Sequence, residues 1–138
     1  MWRAGIVGSC VEGNRMLLVA LCDAGVRAKL LPPTFVIMPI TFTSHGAAGT
    51  VTGTKHLIDL RRTDGTRTRL LLDCGMFQGE AVRDAHVDPN RQFGFQPEDI
   101  DLVVLSHAHI DHSGLLPRLV AEGFRGPIWS TPATRELC

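Results

Sequence analysis

Three of the six histidines in this 138-residue chain, His107, His109 and His112, fall within six consecutive positions, with Asp111 just before the last. Residues 106–114 read S-H-A-H-I-D-H-S-G, so the imidazoles and the carboxylate form an H-x-H-x-D-H string. Histidines scattered through a core do not cluster in this way. In extended backbone, side chains two apart point the same way, so His107 and His109 can share one metal ion. A chain that then turns toward a helix swings Asp111 and His112 to a second ion. Two imidazoles for one ion, and a carboxylate with an imidazole for the other, suit Zn²⁺ or a borderline ion such as Mn²⁺. Paired ions about 3.5–4 Å apart clamp both the attacking and the leaving oxygen of a displacement. The bland alternative is a solvated loop that happens to hold three histidines, and the spacing argues against it.

The elements around the string must place it at the end of a strand. Leu102–Leu105 is a continuous apolar run, expected of a strand buried on both faces. Ser113-Gly114 opens an apolar-periodic stretch, Leu115, Leu116, Leu119 and Val120, that predicts a helix ending near Gly123. Upstream, Ile40–Thr43 alternates as a half-buried strand does, and a glycine-rich bend follows at residues 45–49. Val51–Leu60 and Arg67–Asp73 read as two further strands joined by an Asp64-Gly65 hairpin turn. Residues 74–97 read as a long loop with a short helix near Glu80–Ala85. Pro97-Glu98-Asp99 is a brief helix-start signal. Pro127–Ser130 predicts a short strand, and Thr131 caps a final helix with Pro132 at its first position.

Composition bounds the rest. Apolar residues make up 44%, enough for a core, and 14 basic side chains balance 14 acidic ones. That balance excludes a strongly basic nucleic-acid arm and an acidic tail, though not a local patch. No apolar run approaches the roughly 18 residues of a membrane span. A soluble globular chain, or a piece of one, is expected. Cys10, Cys22, Cys74 and Cys138 form no C-x-x-C pair, which disfavours a cysteine zinc site and favours reduced thiols in a cytoplasmic protein. Residues 1–37, with the apolar run Met16–Cys22, lack strand alternation. They read as an extension outside the fold, with Met38 a plausible start for the domain over 38–138.

Other residues invite chemistry but have plainer readings. Gly46 and Gly49 lack a phosphate-loop spacing and fit a tight bend. His45, His56 and His86 have no metal-like spacing and read as surface or packing residues. Arg61, Arg62, Arg67 and Arg69 flank the hairpin turn, as a solvated hairpin or as a face for phosphates. Trp129 reads as core.

The ligand string resembles the signature of the metallo-β-lactamase superfamily. HAHIDHSG (107–114), with LLDCG (71–75) before it and TPATREL (131–137) after it, is similar to the β-CASP branch, as are GAAGTVTGTKHLI (46–58) and GMFQG (75–79). The resemblance runs from about Ile40 to the end. It implies an α/β fold, the αββα sandwich, with only the N-terminal half present. It implies a metal-dependent hydrolase acting on RNA, in some members on DNA, with no membrane partner and with a homodimer admissible for the complete enzyme. His107 and His109 would bind the first zinc, Asp111 and His112 the second. Asp73 and Asp111 would be the carboxylates of the reaction centre, Asp73 by orienting the ligand loop. A strand-end Asp capping a turn is the alternative for Asp73. Gly75 would allow tight backbone passage near the metals. The superfamily takes further ligands from later positions. No histidine follows His112 and no aspartate follows Asp111, so this chain alone is expected to be inactive. A thioester or lactam hydrolase of the same fold is the rival activity.

Overall fold

The computed structural model describes the backbone of residues 4–12, 15–23, 35–79, 82 and 88–138, with side chains described from Pro39 onward. Seven strands lie in chain order in one sheet: β1 (Ala4–Glu12), β2 (Arg15–Asp23), β3 (Phe35–Gly46), β4 (Lys55–Arg61), β5 (Arg67–Leu72), β6 (Leu102–Val104) and β7 (Ile128–Trp129). The first five pair antiparallel, and β5–β6 and β6–β7 pair parallel. Short helices among the described residues include α1 (Ile110–Ser113), α2 (Leu116–Ala121) and α3 (Pro132–Leu137), with 3-10 turns at Pro89–Arg91 and Pro97–Asp99.

Period-two alternation sorts the sheet's two faces. Leu57, Leu71 and Val103 point to one side and pack with Leu115 and Leu119 and with Phe93, Ile100 and Phe124. Burying each such side chain contributes roughly 1.5–3 kcal/mol. The alternate residues are only half-buried: Ile58, Leu70 and Leu102 stand in register across β4, β5 and β6, Leu72 stands beside Val104, and Leu60 lies opposite Thr68. One helical layer therefore covers one face of the sheet, and the other face is apolar and open. This is one αβ half of an αββα sandwich.

The Asp64-Gly65 turn forms as expected, with the Asp64 carboxylate accepting from the Thr66 N–H at 2.8 Å. Thr131 caps α3 by accepting from the Thr134 N–H at 3.2 Å. The helix expected from Ser113 to Gly123 is two short pieces, because Pro117 at the second position of α2 has no N–H to continue the first. Val51, expected in a strand, lies in the bend before β4 and is 89% exposed. Most of the helix expected near Glu80–Ala85, and His86, lie outside the described residues.

Within residues 1–37, the described backbone of 4–12, 15–23 and 35–37 supplies β1, β2 and the start of β3, so strands form where no alternation marks them, with Glu12 opposite Arg15 and Met16 opposite Phe42. A continuous apolar run such as Met16–Cys22 shows no period-two signal, yet it is compatible with a strand. The Gly13-Asn14 pair between the two strands is a hairpin signal in its own right. Within the sheet, β1 pairs only with β2, and β2 joins it to β3.

Candidate metal centre

Parallel pairing of β5 and β6 sets their C-terminal ends side by side, and the chemistry-bearing residues emerge there. Asp73 follows β5 and donates its backbone N–H to the Val104 carbonyl at 3.0 Å. Ser106 to His112 follow β6. Three successive carbonyls of that loop are then tied to the strand ends: Ile110 accepts from Met76 at 3.0 Å, Asp111 from Thr54 at 3.0 Å, and His112 from Cys74 at 2.7 Å. Residues 73–76 and Thr54 thus hold the loop's backbone. Gly75 makes this possible, since a Cβ there would lie 1.6 Å from the Asp111 carbonyl oxygen. Gly46 is needed for a similar reason: its Cβ would meet the Gly53 carbonyl oxygen at 1.8 Å, so the glycine-rich stretch closes a bend.

The four string residues come together. His107 Nε2 lies 3.2 Å from His109 Nδ1. His112 Nε2 lies 3.5 Å from Asp111 Oδ2, and the His107 and His112 rings are 4.0 Å apart between centroids. Behind them sits Asp73, 6% exposed. Its Oδ1 accepts the Ser106 backbone N–H at 2.7 Å, and its Oδ2 accepts the Ser106 hydroxyl at 2.8 Å. The same Oδ2 lies 2.8 Å from His112 Nδ1. Asp73 is therefore not a turn cap. Its left-handed φ of 59° costs on the order of 1 kcal/mol or more for a non-glycine residue, and these three hydrogen bonds hold it.

An ionised carboxylate only accepts, so His112 donates from Nδ1, and in the neutral ring this leaves Nε2 bare and facing Asp111. Two nitrogens on one tetrahedral zinc at about 2.0–2.1 Å stand roughly 3.3 Å apart, and the His107–His109 separation of 3.2 Å fits that value. The donor atoms present are thus suited to two ions at two side chains each. No group of three or more His, Cys, Asp or Glu among the described residues is disposed to hold a single ion.

Sequence reasoning missed Lys55. It is fully buried beneath the loop, donates to the Gly75 carbonyl at 3.1 Å and lies 4.2 Å from the centre of the Phe77 ring. Burial lowers its pKa from 10.5 to about 8. The available signal was its place two residues before Leu57, on the inward face of β4. Burial also pushes the neighbouring Cys74 thiol up to about 12.

The remaining candidates are occupied elsewhere. His45 packs edge-on against Phe95, and His56 lies 3.1 Å from the Ser44 hydroxyl and tilts against Phe42. Burial lowers both imidazole pKa values. Arg67 and Arg69 pair with Asp59 and Asp99. Hydrogen bonding to Arg67 holds the Asp59 carboxyl below its ordinary value. Trp129, expected in the core, is 61% exposed, because the two-residue β7 is the last strand of the sheet. A cleft of 670 Å³ opens between Thr41, Asp59, Arg69 and Phe93, but none of His107, His109, Asp111 or His112 lines it. Among the described residues no helix is long and apolar enough to cross a membrane.

The chain is 51% identical over 89 residues to a ribonuclease of Thermus thermophilus, covering 64% of this chain and 19% of that protein. It is 40% identical over 75 residues to the transcription termination factor FttA of Methanosarcina mazei, and 42% identical over 71 residues to that of Methanococcus maripaludis. Each of these two matches covers 51% of this chain and 11% of the relative. The chain therefore spans a fifth or less of the length of these curated relatives. The metallo-beta-lactamase superfamily matches residues 57–136, the stretch that carries β4, β5, β6 and the whole histidine loop. By that match the chain belongs to the metallo-β-lactamase superfamily, with the resemblance to its β-CASP branch borne out by these relatives.

Proposed function

We propose that the protein carrying this segment is a metal-dependent ribonuclease that hydrolyses RNA phosphodiesters with a dinuclear zinc site, Mn²⁺ being the alternative ion. His107 and His109 would hold one ion, and Asp111 and His112 the other. When bound, such a pair supplies a water of lowered pKa and positive charge beside the phosphate oxygens. The chain's own contribution is orientation: Asp73 holds the His112 Nδ1 proton and leaves Nε2 free as a donor. The observation that carries the reading is the pairing of donor atoms at the ends of β5 and β6, His107 with His109 and His112 with Asp111, backed by the buried Asp73. The ribonuclease relative supports RNA as the substrate class.

The test uses the full-length protein on 5′-labelled RNA, on DNA of the same sequence and on a thioester. RNA cleavage lost on chelation and in His109→Ala is the expected result, and the product ladder reads the mode of attack. Thioester hydrolysis without RNA cleavage would favour the rival hydrolase. For the 138 residues by themselves we read an inactive module, because His107 with His109, and Asp111 with His112, offer two side chains to each ion. We further place the protein in the cytoplasm, consistent with the free thiols of Cys74 and Cys138. A homodimer of the complete enzyme is readable by sedimentation.

A further inference from the structure

We propose that Ser106 is a positioning residue that fixes the tautomer of His107, so that the single carboxylate of Asp73 sets two imidazoles at once. The inference rests on the reading of His107 as a metal ligand, and it concerns a side chain given no role above.

Hydrogen-bond direction carries the argument. The Ser106 hydroxyl lies 2.8 Å from Asp73 Oδ2 and 2.9 Å from His107 Nδ1. A hydroxyl has one proton to give, and an ionised carboxylate has none. The proton between Ser106 and Asp73 must therefore come from the hydroxyl. The oxygen of Ser106 is then left with lone pairs toward His107, so the proton on that second bond must come from His107 Nδ1. In the neutral ring this leaves His107 Nε2 without a proton, on the side where it lies 3.2 Å from His109. The reverse arrangement would set a hydroxyl lone pair against a buried carboxylate at 2.8 Å. The Ser106 backbone N–H is also fixed on Asp73 Oδ1 at 2.7 Å, so the serine is held at two points and its hydroxyl has little freedom to turn away.

Asp73 thus orders two rings by different routes. His112 meets the carboxylate directly at 2.8 Å, whereas His107 is reached only through the hydroxyl. Each route places the ring proton on Nδ1 and bares Nε2, which is the form a metal needs. Without the relay, His107 loses this constraint, and a free imidazole in water prefers its proton on Nε2. The donor that should face the ion would then be blocked in most molecules. The carboxylate that sets His112 would be untouched.

The experiment is long-range ¹H–¹⁵N spectroscopy of the histidine rings in the metal-free chain, at about pH 8 where unperturbed imidazoles are neutral. The wild type is compared with Ser106→Thr and Ser106→Val, which are alike in size and differ in the hydroxyl. Zinc affinity is measured on the full-length protein carrying the same three side chains at position 106, by competition with a chromophoric chelator. His107 is expected to carry its proton on Nδ1 in the wild type and in Ser106→Thr. In Ser106→Val it should shift toward the Nε2 form, with His112 unchanged. Zinc affinity should fall by about 10-fold or more in Ser106→Val and be kept in Ser106→Thr. The same His107 tautomer in all three proteins would overturn the proposal. So would equal changes at His107 and His112, which would indicate general loosening of the loop. If the tautomer moves as stated but the full-length wild type takes up no zinc, the metal reading fails and the serine relay stands.

Discussion

Replacing Lys55 with methionine should stabilise the fold at neutral pH, and the gain should vanish as the pH rises. Lys55 is fully buried, and its pKa falls from 10.5 to about 8. At about 1.4 kcal/mol per pH unit, that depression means its ammonium form costs the folded state about 3 kcal/mol. Because the folded pKa is the lower one, the unfolded chain binds the extra proton. The penalty is complete below pH 8 and is relieved as the pH climbs toward 10.5. Methionine nearly matches the volume and carries no charge, but it leaves the Gly75 carbonyl without its 3.1 Å donor, a loss of about 1 kcal/mol. The net expectation is about 2 kcal/mol in favour of Lys55→Met at pH 7, falling to near zero at about pH 10 and turning to favour lysine above that. Cys74 complicates the raw curves. Its thiol is raised from 9.0 to about 12, so it removes stability as the pH rises between those values. Both proteins contain Cys74, so the difference between their curves isolates Lys55 to first order. Urea unfolding at intervals from pH 7 to 10.5 is the assay. A methionine variant less stable at pH 7, or a difference that stays flat across the range, would show that the ammonium is a favourable structural cation and that burial is not its dominant influence.

Gly75→Ala should cost more than 3 kcal/mol or abolish folding, since its Cβ would strike the backbone of Asp111 at 1.6 Å. By contrast, Gly65→Ala at the open hairpin tip, with φ of 85° and nothing within 4 Å, should cost only about 1 kcal/mol in the same denaturation experiment. The 138-residue chain should bind zinc weakly and leave labelled RNA intact, because two side chains per ion leave most coordination positions to water. Tight uptake of two ions per chain in a chelator competition would show that the segment is sufficient. Deleting residues 1–37 from the longer protein should leave expression and cooperative urea unfolding unchanged, because β1 and β2 lie at the edge of the sheet beyond β3. Loss of folding on deletion would make that edge part of the domain.

The histidine string, its position after a strand, the hairpin at Asp64-Gly65 and the Thr131 cap were legible because each is a local signal, whereas β6, expected to be buried on both faces, is covered on one, with Leu102 and Val104 half-buried. Side-chain period, turn chemistry and cap chemistry act over two to five residues, and the sequence by itself determines them. The superfamily was readable for the same reason, from short ordered strings. Tertiary structure decided what those strings could not. Asp73 meets Ser106 and His112 across 33 and 39 positions only because β5 and β6 pair in parallel and end together. Lys55 stands two residues before Leu57 on the inward face of β4, but its burial is complete only because the Gly75 turn and Phe77 close over it from farther along the chain. Trp129 is exposed because β7 ends the sheet, and an apolar side chain is buried only where another element arrives to cover it. The apolar run Met16–Cys22 carries no alternation, so its strand pairing with β3 was invisible until the partner strand was known. Residue types and short spacings determine which groups are available for chemistry. Long-range pairing decides which of them meet, because a hydrogen bond or a desolvation penalty depends on neighbours that the chain supplies from far away.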